Sequence, residues 1–506
     1  MWNLLPQRVV EANSIGAFKG KLDKYMREKG IEGFADRHID YDFATSTSLH
    51  GLHNALQSKP RIRRVLWIVI VSLSVIGVSS QITQLFINYF TWPTSTSLTI
   101  KYVEDIEFPA VTFCNLNRYQ EKAVANVSII YLLWKIVSAV LSIDAGDGNN
   151  IPESVNNFLQ GNESFSIRNF TKEHGYQLDN STLLQCDFSG EPCYPNDFEH
   201  VFTEYGNCYT FNHQNLKSKR RVKTSGRGLR VLFDIKQSEM TDNPALGYTD
   251  AGMNFVIHSP NELPQVETMG LSVGVGMHAY AVIRQLKTIN QEYPWGECNP
   301  HISLEYHDTY TTYRCLQECK SKYIKQHCGC FPFLLPGHGP ECEPGKYYNC
   351  AYPLLYFIEK EGLCKAGPYR SNCPAPCQET KYATRVSYST FPSNKGLHFF
   401  STKFQKTKEY IRENFVCIDI AYEDLNSELT QQQKKLPISE LIGDIGGQLG
   451  LFCGASCITI IEILEYLIIK SYWLGLVWLL KLPDGVNNIS VIQISHRKET
   501  KQPKVF

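Results

Sequence analysis

From Val65 to Phe90 the sequence reads VLWIVIVSLSVIGVSSQITQLFINYF, without one Asp, Glu, Lys or Arg. At 1.5 Å per residue such a stretch makes a helix of roughly 39 Å, enough to cross a bilayer with tilt. So long an uncharged run is rare in the core of a soluble protein, and residues 65–90 are read as a transmembrane helix. A second apolar block runs from about Ile438 to Leu482 but contains Glu440, Asp444, Gln448, Glu462, Glu465 and Lys470. Polar groups at that density point to a wet face, and we place a second transmembrane helix at residues 438–472. The mean hydropathy of −0.24 conceals both blocks because it averages them with a polar middle.

Topology follows from flanking charge. The first 60 residues are polar and of mixed charge, so no cleavable leader is expected and the first block serves as an uncleaved anchor. Arg61, Arg63 and Arg64 precede that block, and Lys481, Arg497, Lys498, Lys501 and Lys504 follow the second. The positive-inside rule puts both termini, residues 1–64 and 473–506, in the cytosol and residues 91–437 outside. Fifteen of the 17 cysteines lie in that outer segment, the usage expected of an oxidising compartment. It also carries glycosylation sequons at Asn126, Asn162, Asn169 and Asn180, whereas a fifth at Asn488 falls on the cytosolic tail and stays unmodified.

The outer segment mixes strand-like runs, VTFCN (111–115), RVLFDI (230–235) and MNFVIHS (253–259), with the helical spacing of STKFQKTKEYIRENF (401–415). The fold class is an α+β membrane protein. Ten cysteines between Cys298 and Cys377 indicate a part held by disulfides, each restricting the unfolded chain by roughly 2–4 kcal/mol. Lys+Arg 50 against Asp+Glu 50 gives a formal net charge of zero and no reason to expect a nucleic-acid partner.

The tract GDIGGQLGLFCGAS (443–456) is too rich in glycine for an ordinary helix, each Gly costing roughly 1 kcal/mol relative to Ala. Such a segment lets helices approach closely, or unwinds so that backbone carbonyls replace part of an ion's hydration shell. Glu462 and Glu465 form an i,i+3 pair below Thr459, and in an oligomer they become a ring of carboxylates that attracts cations. If the helix is continuous, Glu462 lies roughly 36 Å below Ile438, at the cytosolic mouth, where reaching for the headgroups is the competing role. One pair of spans cannot enclose a pore, so conduction requires an oligomer with the polar second span inside. Trp67 and the Ile/Val run of the first span then face lipid, while Ser72, Ser74, Gly77, Ser79 and Ser80 pack inward.

Nearly the whole chain, from about residue 40 to 480, resembles the degenerin/epithelial sodium channel superfamily and, within it, the acid-sensing channel branch. The resemblance rests on His50-Gly51, FPAVTFCN (108–115), Tyr293-Pro294-Trp295, the cysteine array and Gly454-Ala455-Ser456. It implies a homotrimer in the plasma membrane whose outer domain is built as palm, ball, knuckle, finger and thumb. It further implies Na+ as the permeant ion, amiloride as a pore blocker and contact with membrane lipid, with no cofactor and no bound metal. The disulfides it implies are Cys114 with Cys208, Cys186 with Cys193, Cys298 with Cys377, Cys315 with Cys373, Cys319 with Cys364, Cys328 with Cys350 and Cys330 with Cys342. Cys417 is left over, without an assigned role.

By the same resemblance, Gly454, Ala455 and Ser456 match the selectivity filter. Gly443, Asp444, Gly447 and Leu451 match the pore lining and gate, with Glu462 and Glu465 below. His50 and Gly51 match the gating motif, and Trp92 with Pro294 and Trp295 the wrist contact between outer domain and gate. Proton-sensing relatives carry two aspartates where this chain has Tyr352 and Tyr356. Close carboxylate pairs move a pKa toward the physiological range, so moderate acid is not expected to be the main agonist, and the resemblance implies bile acids as activators. The alternatives are a non-conducting receptor or an obligatory accessory subunit. An enzyme is not expected: HExxH, GxSxG and Walker-type motifs are missing, and Gly274-Val-Gly276 is only half of a dinucleotide fingerprint.

Overall fold

The computed structural model describes residues 21, 31–121, 166–213, 220–241, 249–367 and 372–481. The chain divides into two compact units, one of residues 1–91 with 436–506 and the other of residues 92–435.

The first unit is helical. Its elements are α1 (Ile31–Ser46), α2 (Leu52–Gln57), α3 (Arg61–Phe90), α4 (Ile438–Cys453) and α5 (Cys457–Lys481). The helix α3 is long and apolar enough to span a bilayer, and α4 with α5 makes a second candidate only when taken as one span bent by 78°. Gly77 brings α3 onto α4: a Cβ there would lie 3.0 Å from the Phe452 ring. Ser72, Ser79 and Ser80 are exposed, so the contact is narrower than the small-residue stripe suggests. Trp67 does not simply face outward, because its ring packs beside Gly51, where a Cβ would lie 3.5 Å from it. The short helix α2 folds back on α3 at that point, and Arg64 Nε donates to the Ala55 carbonyl at 3.2 Å.

The second unit is built on two sheets. In chain order their strands are β1 (Thr94–Tyr102), β2 (Ala110–Asn115), β3 (Leu183–Phe188), β4 (Glu191–Pro192), β5 (Phe198–Thr203) and β6 (Gly206–Phe211). There follow β7 (Gly228–Asp234), β8 (Gly252–His258), β9 (Leu271–Gly274), β10 (Met277–Ile289), β11 (Gln378–Thr390) and β12 (Phe415–Lys434). One sheet has seven strands in the order β11-β10-β12-β7-β3-β4, with β1 also paired to β12, and the other has five in the order β9-β8-β2-β6-β5. The continuous apolar runs of β2 and β8 are buried at every position, whereas β10 alternates, as a strand with one wet face should. Phe108, Phe211, Phe233 and Phe255 are completely buried in the core, and Phe113 meets Phe233 with ring centroids 5.1 Å apart.

The strand β12 carries two sets of neighbours. Its first half lies between β10, parallel, and β7, antiparallel; its second half pairs with β1 from Thr94↔Lys434 to Tyr102↔Asn426. Helices flank the sheets. Thr312–Cys328 starts at Thr311, whose hydroxyl accepts from the Arg314 amide at 3.1 Å, and stops at Gly329 with φ 71°. Disulfides tie this region together: Cys315–Cys373, Cys319–Cys364, Cys328–Cys350 and Cys330–Cys342, with Cys298–Cys377 at its base. Cys114–Cys208 joins β2 to β6, and Cys186–Cys193 closes the β3–β4 turn. These are the seven pairs the resemblance implies, and Cys417 is a buried free thiol. The segment 401–415 is not one helix. It ends one helix at Phe404, turns through Gln405 at φ 55°, and starts another, Lys408–Asn414, capped by the Thr407 hydroxyl on the Tyr410 amide.

Candidate ion pathway and gate

Within the first unit, the Gly-Ala-Ser tract is where the second apolar block stops being a helix. Gly454 takes the left-handed conformation, φ 62° and ψ 23°, and closes α4 with its amide on the Gly450 carbonyl at 3.0 Å. The Ala455 amide reaches the Leu449 carbonyl at 3.2 Å, completing a Schellman-type end. Ser456 opens α5, its amide held by the Thr459 hydroxyl at 3.0 Å. Among the described residues, the Gly454 and Ala455 carbonyls make no hydrogen bond, so they are left to water or to an ion.

The helix α4 presents its glycines on an open side. A Cβ at Gly443, Gly446 or Gly447 would meet nothing within 4 Å, and Leu451, one turn past Gly447, is 79% exposed. Asp444 lies on the same side and is exposed. Residues 443, 447 and 451 share one face at i,i+4 spacing, while Phe452 faces α3.

Residues 47–51 cover the break. The His50 amide donates to the Cys453 carbonyl at 3.0 Å, and a Cβ on Gly454 would come to 1.4 Å from His50 Nδ1. Only hydrogen fits at that position. Gly51 is also left-handed, with φ 86°, and a Cβ there would press on Val71 at 3.0 Å. The Ser48 and Thr459 hydroxyls share a hydrogen bond of 2.5 Å, and Thr459 is fully buried.

Glu462 is held by the same segment. Its Oε2 accepts from the Thr47 hydroxyl at 3.0 Å, the Ser48 amide at 2.9 Å and the Ser48 hydroxyl at 3.2 Å. The straight-helix distance from Ile438 does not apply, because the chain bends between them. Glu465, three residues on, is exposed. One turn lower, Lys470 Nζ and the Tyr466 hydroxyl donate to Asp40 Oδ1 at 2.7 and 2.6 Å and hold its carboxyl below the usual carboxylate range. Phe43 stacks on Tyr466 with centroids 4.4 Å apart.

In the second unit, Trp92 and Trp295 meet edge to face with centroids 5.1 Å apart, and Lys434 Nζ lies 5.4 Å from the Trp295 ring centroid. Pro294 sits in the turn that carries Trp295, closed by the Gly296 amide on the Glu292 carbonyl at 3.0 Å. Gln291 donates two hydrogen bonds to Gln432, from its amide to Oε1 at 3.1 Å and from Nε2 to the backbone carbonyl at 2.9 Å, so this turn is fastened to the end of β12.

A cleft of about 410 Å³ in the same unit is lined by Glu204, Glu262, Glu267, Tyr313 and Arg314 among others. Burial pushes the Glu204 and Glu262 carboxyls up to about 7, with Glu267 adding to the first and Glu379 to the second. Sequence reasoning missed both, since no local pattern reveals the desolvation that separates them from other glutamates. Tyr352 and Tyr356 lie on the short helix Tyr352–Glu361, and Tyr356 is 58% exposed. Of the sequons, Asn169 and Asn180 are exposed, while Asn126, Asn162 and Asn488 lie outside the described residues, as do Arg497, Lys498, Lys501 and Lys504.

The model of the amiloride-sensitive sodium channel family matches residues 43–466. The bile acid-sensitive ion channel of Rattus norvegicus is 53% identical over 475 residues, covering 93% of this chain and 96% of the relative. Its Homo sapiens counterpart is 52% identical over 480 residues, covering 94% and 95%. Acid-sensing ion channel 1 of Gallus gallus is 33% identical over 445 residues, covering 84% and 82%. All are ion channels, not enzymes. The chain belongs to the amiloride-sensitive sodium channel family.

Proposed function

We propose that this cation channel is a Na+-selective, amiloride-blocked homotrimer of the plasma membrane, opened by bile acids rather than mainly by protons. The observation that carries the reading is the interruption of the second apolar block at Gly454-Ala455-Ser456, with unbonded carbonyls at 454 and 455 beside an open glycine face. Three copies of α4 would line the pore with Gly443, Asp444, Gly447 and Leu451, and the interruption would be the filter. Both spans, 65–90 and 438–472, would cross the membrane with the termini in the cytosol. Residues 47–51 would then support the filter from inside, with Glu462 as their anchor and Glu465 facing the inner vestibule.

Association of copies is supported by apolar surface that one chain leaves uncovered. Leu98, Ile100 and Tyr102 alternate along one face of β1 and are 64%, 50% and 79% exposed. The outer domain would reach the gate through Trp92 on Trp295 and through β12, whose last residue, Lys434, is separated from the helical unit by one residue of the chain. Bile acids as the stimulus rest on the relatives named for that sensitivity and on tyrosines at 352 and 356, where an aspartate pair would be needed for proton sensing.

The test is voltage clamp of cells expressing the chain during a bile-salt pulse in Na+ medium, with and without amiloride. An inward current abolished by amiloride is expected. Absence of current from a chain that reaches the surface would favour an accessory subunit or another stimulus.

A further inference from the structure

The leftover cysteine of the outer unit has company. In the parallel pairing of β10 with β12, His278 lies opposite Cys417, and Asp419 follows two residues on, on the same face of β12. One ligand atom from each of the three lies within 4.8 Å of the others. His278 is 5% exposed and Cys417 4% exposed, so the imidazole and the thiol are both more than nine-tenths buried.

Two atoms of this cluster are buried without a hydrogen-bond partner, His278 Nε2 and Asp419 Oδ1. His278 Nε2 lies 3.3 Å from Asp419 Oδ2, and Arg230 Nε lies 3.0 Å from Asp419 Oδ1, both close without the alignment of a hydrogen bond. Leaving such groups unsatisfied is costly, and natural proteins seldom do so without a ligand or function. Imidazole, thiolate and carboxylate together form the donor set that borderline divalent transition metals prefer, whereas calcium and magnesium take oxygen.

We propose that His278, Cys417 and Asp419 form an extracellular binding site for a zinc-class divalent cation, clamping β10 to β12. On binding, the Cys417 S–H bond breaks and its proton leaves to solvent water as the metal–sulfur bond forms. The neutral imidazole gives its Nε2 lone pair, the carboxylate gives one oxygen, and water fills the fourth position. Thiolate and carboxylate neutralise the dication. Arg230, whose side chain is 61% exposed, swings into solvent and opens the way in beside Asp419. The clamped strand is the one that runs on to Lys434, so the cation restrains the strand that leads toward the gate.

The experiment uses the purified full chain in detergent, with Cys453 and Cys457 replaced by Ser so that Cys417 is the remaining free thiol. Cd2+ serves as the probe, read by its ultraviolet sulfur-to-metal charge-transfer band, and Zn2+ as the competitor. One band-forming equivalent per chain, displaced by Zn2+ and lost in Cys417→Ser, is expected. His278→Ala and Asp419→Asn should each weaken Cd2+ binding at least about tenfold, the low end of what even an outer-shell partner contributes. Asp419 is partly exposed, so Asp419→Asn keeps the test decisive should the buried variants fail to fold. No band from the folded chain, or a band that His278→Ala and Asp419→Asn leave unchanged, would overturn the site.

Discussion

At the scale of single residues, Gly454 has little freedom. Its φ of 62° is one that side chains rarely adopt, at a cost of roughly 1–2 kcal/mol, and the His50 ring occupies the space a Cβ would take. Gly454→Ala should therefore abolish current while surface labelling stays normal; a conducting variant would show that His50 does not pack there. Glu204 and Glu262 make a second residue-scale prediction. Their carboxyls are raised by burial to about 7 from an ordinary 4.5, so the fold is favoured fully below pH 4.5 and loses that contribution as pH rises through 7. His258, lowered to about 4 by burial, acts in the opposite sense at more acid pH, which restricts the useful window to about pH 6.5–8. Across it the melting temperature of the purified chain should fall as pH rises, and Glu204→Gln with Glu262→Gln should flatten the slope. An identical slope in the double variant would mean that these carboxyls titrate normally.

At the scale of elements, the central contact is between the segment 47–51 and the start of α5. Thr47, Ser48 and Glu462 act as one unit, because the same carboxylate oxygen receives all three hydrogen bonds. Glu462→Ala and the pair Thr47→Ala with Ser48→Ala should reduce evoked current to a similar degree, and their combination should add little. Full additivity in whole-cell recordings would separate them. This contact was not legible in the sequence: some 415 residues separate Thr47 from Glu462, and nothing local at either end names the other. The glycine density of 443–456 was a guide only in part: residues 443–453 stay helical in α4 despite four glycines, and the break falls at 454–456. Strands such as 111–115 and 253–259 were legible because their buried runs are continuous. The disulfide pairs came from family pattern, since spacing alone leaves many connectivities open. The helical period across 401–415 misled because Gln405 and Thr407, a turn and a cap, scarcely disturb it.

At the scale of the whole molecule, the chain comprises a sheet-built unit, 92–435, and a helical unit whose second apolar block is interrupted at 454–456. Seven disulfides and a core of buried phenylalanines cross-link and pack the sheet-built unit. The helical unit has the opposite character, with glycines, carbonyls at 454 and 455 that no described residue bonds, and an open face on α4 that a single chain does not fill. Selection of the ion by residues 454–456 is tested by the reversal potential of the evoked current with Na+ outside and K+ inside, in the natural chain and in Ser456→Cys. A positive reversal potential is expected in the natural chain and a shift toward zero in the variant. The same reversal potential in both would contradict selection at these residues.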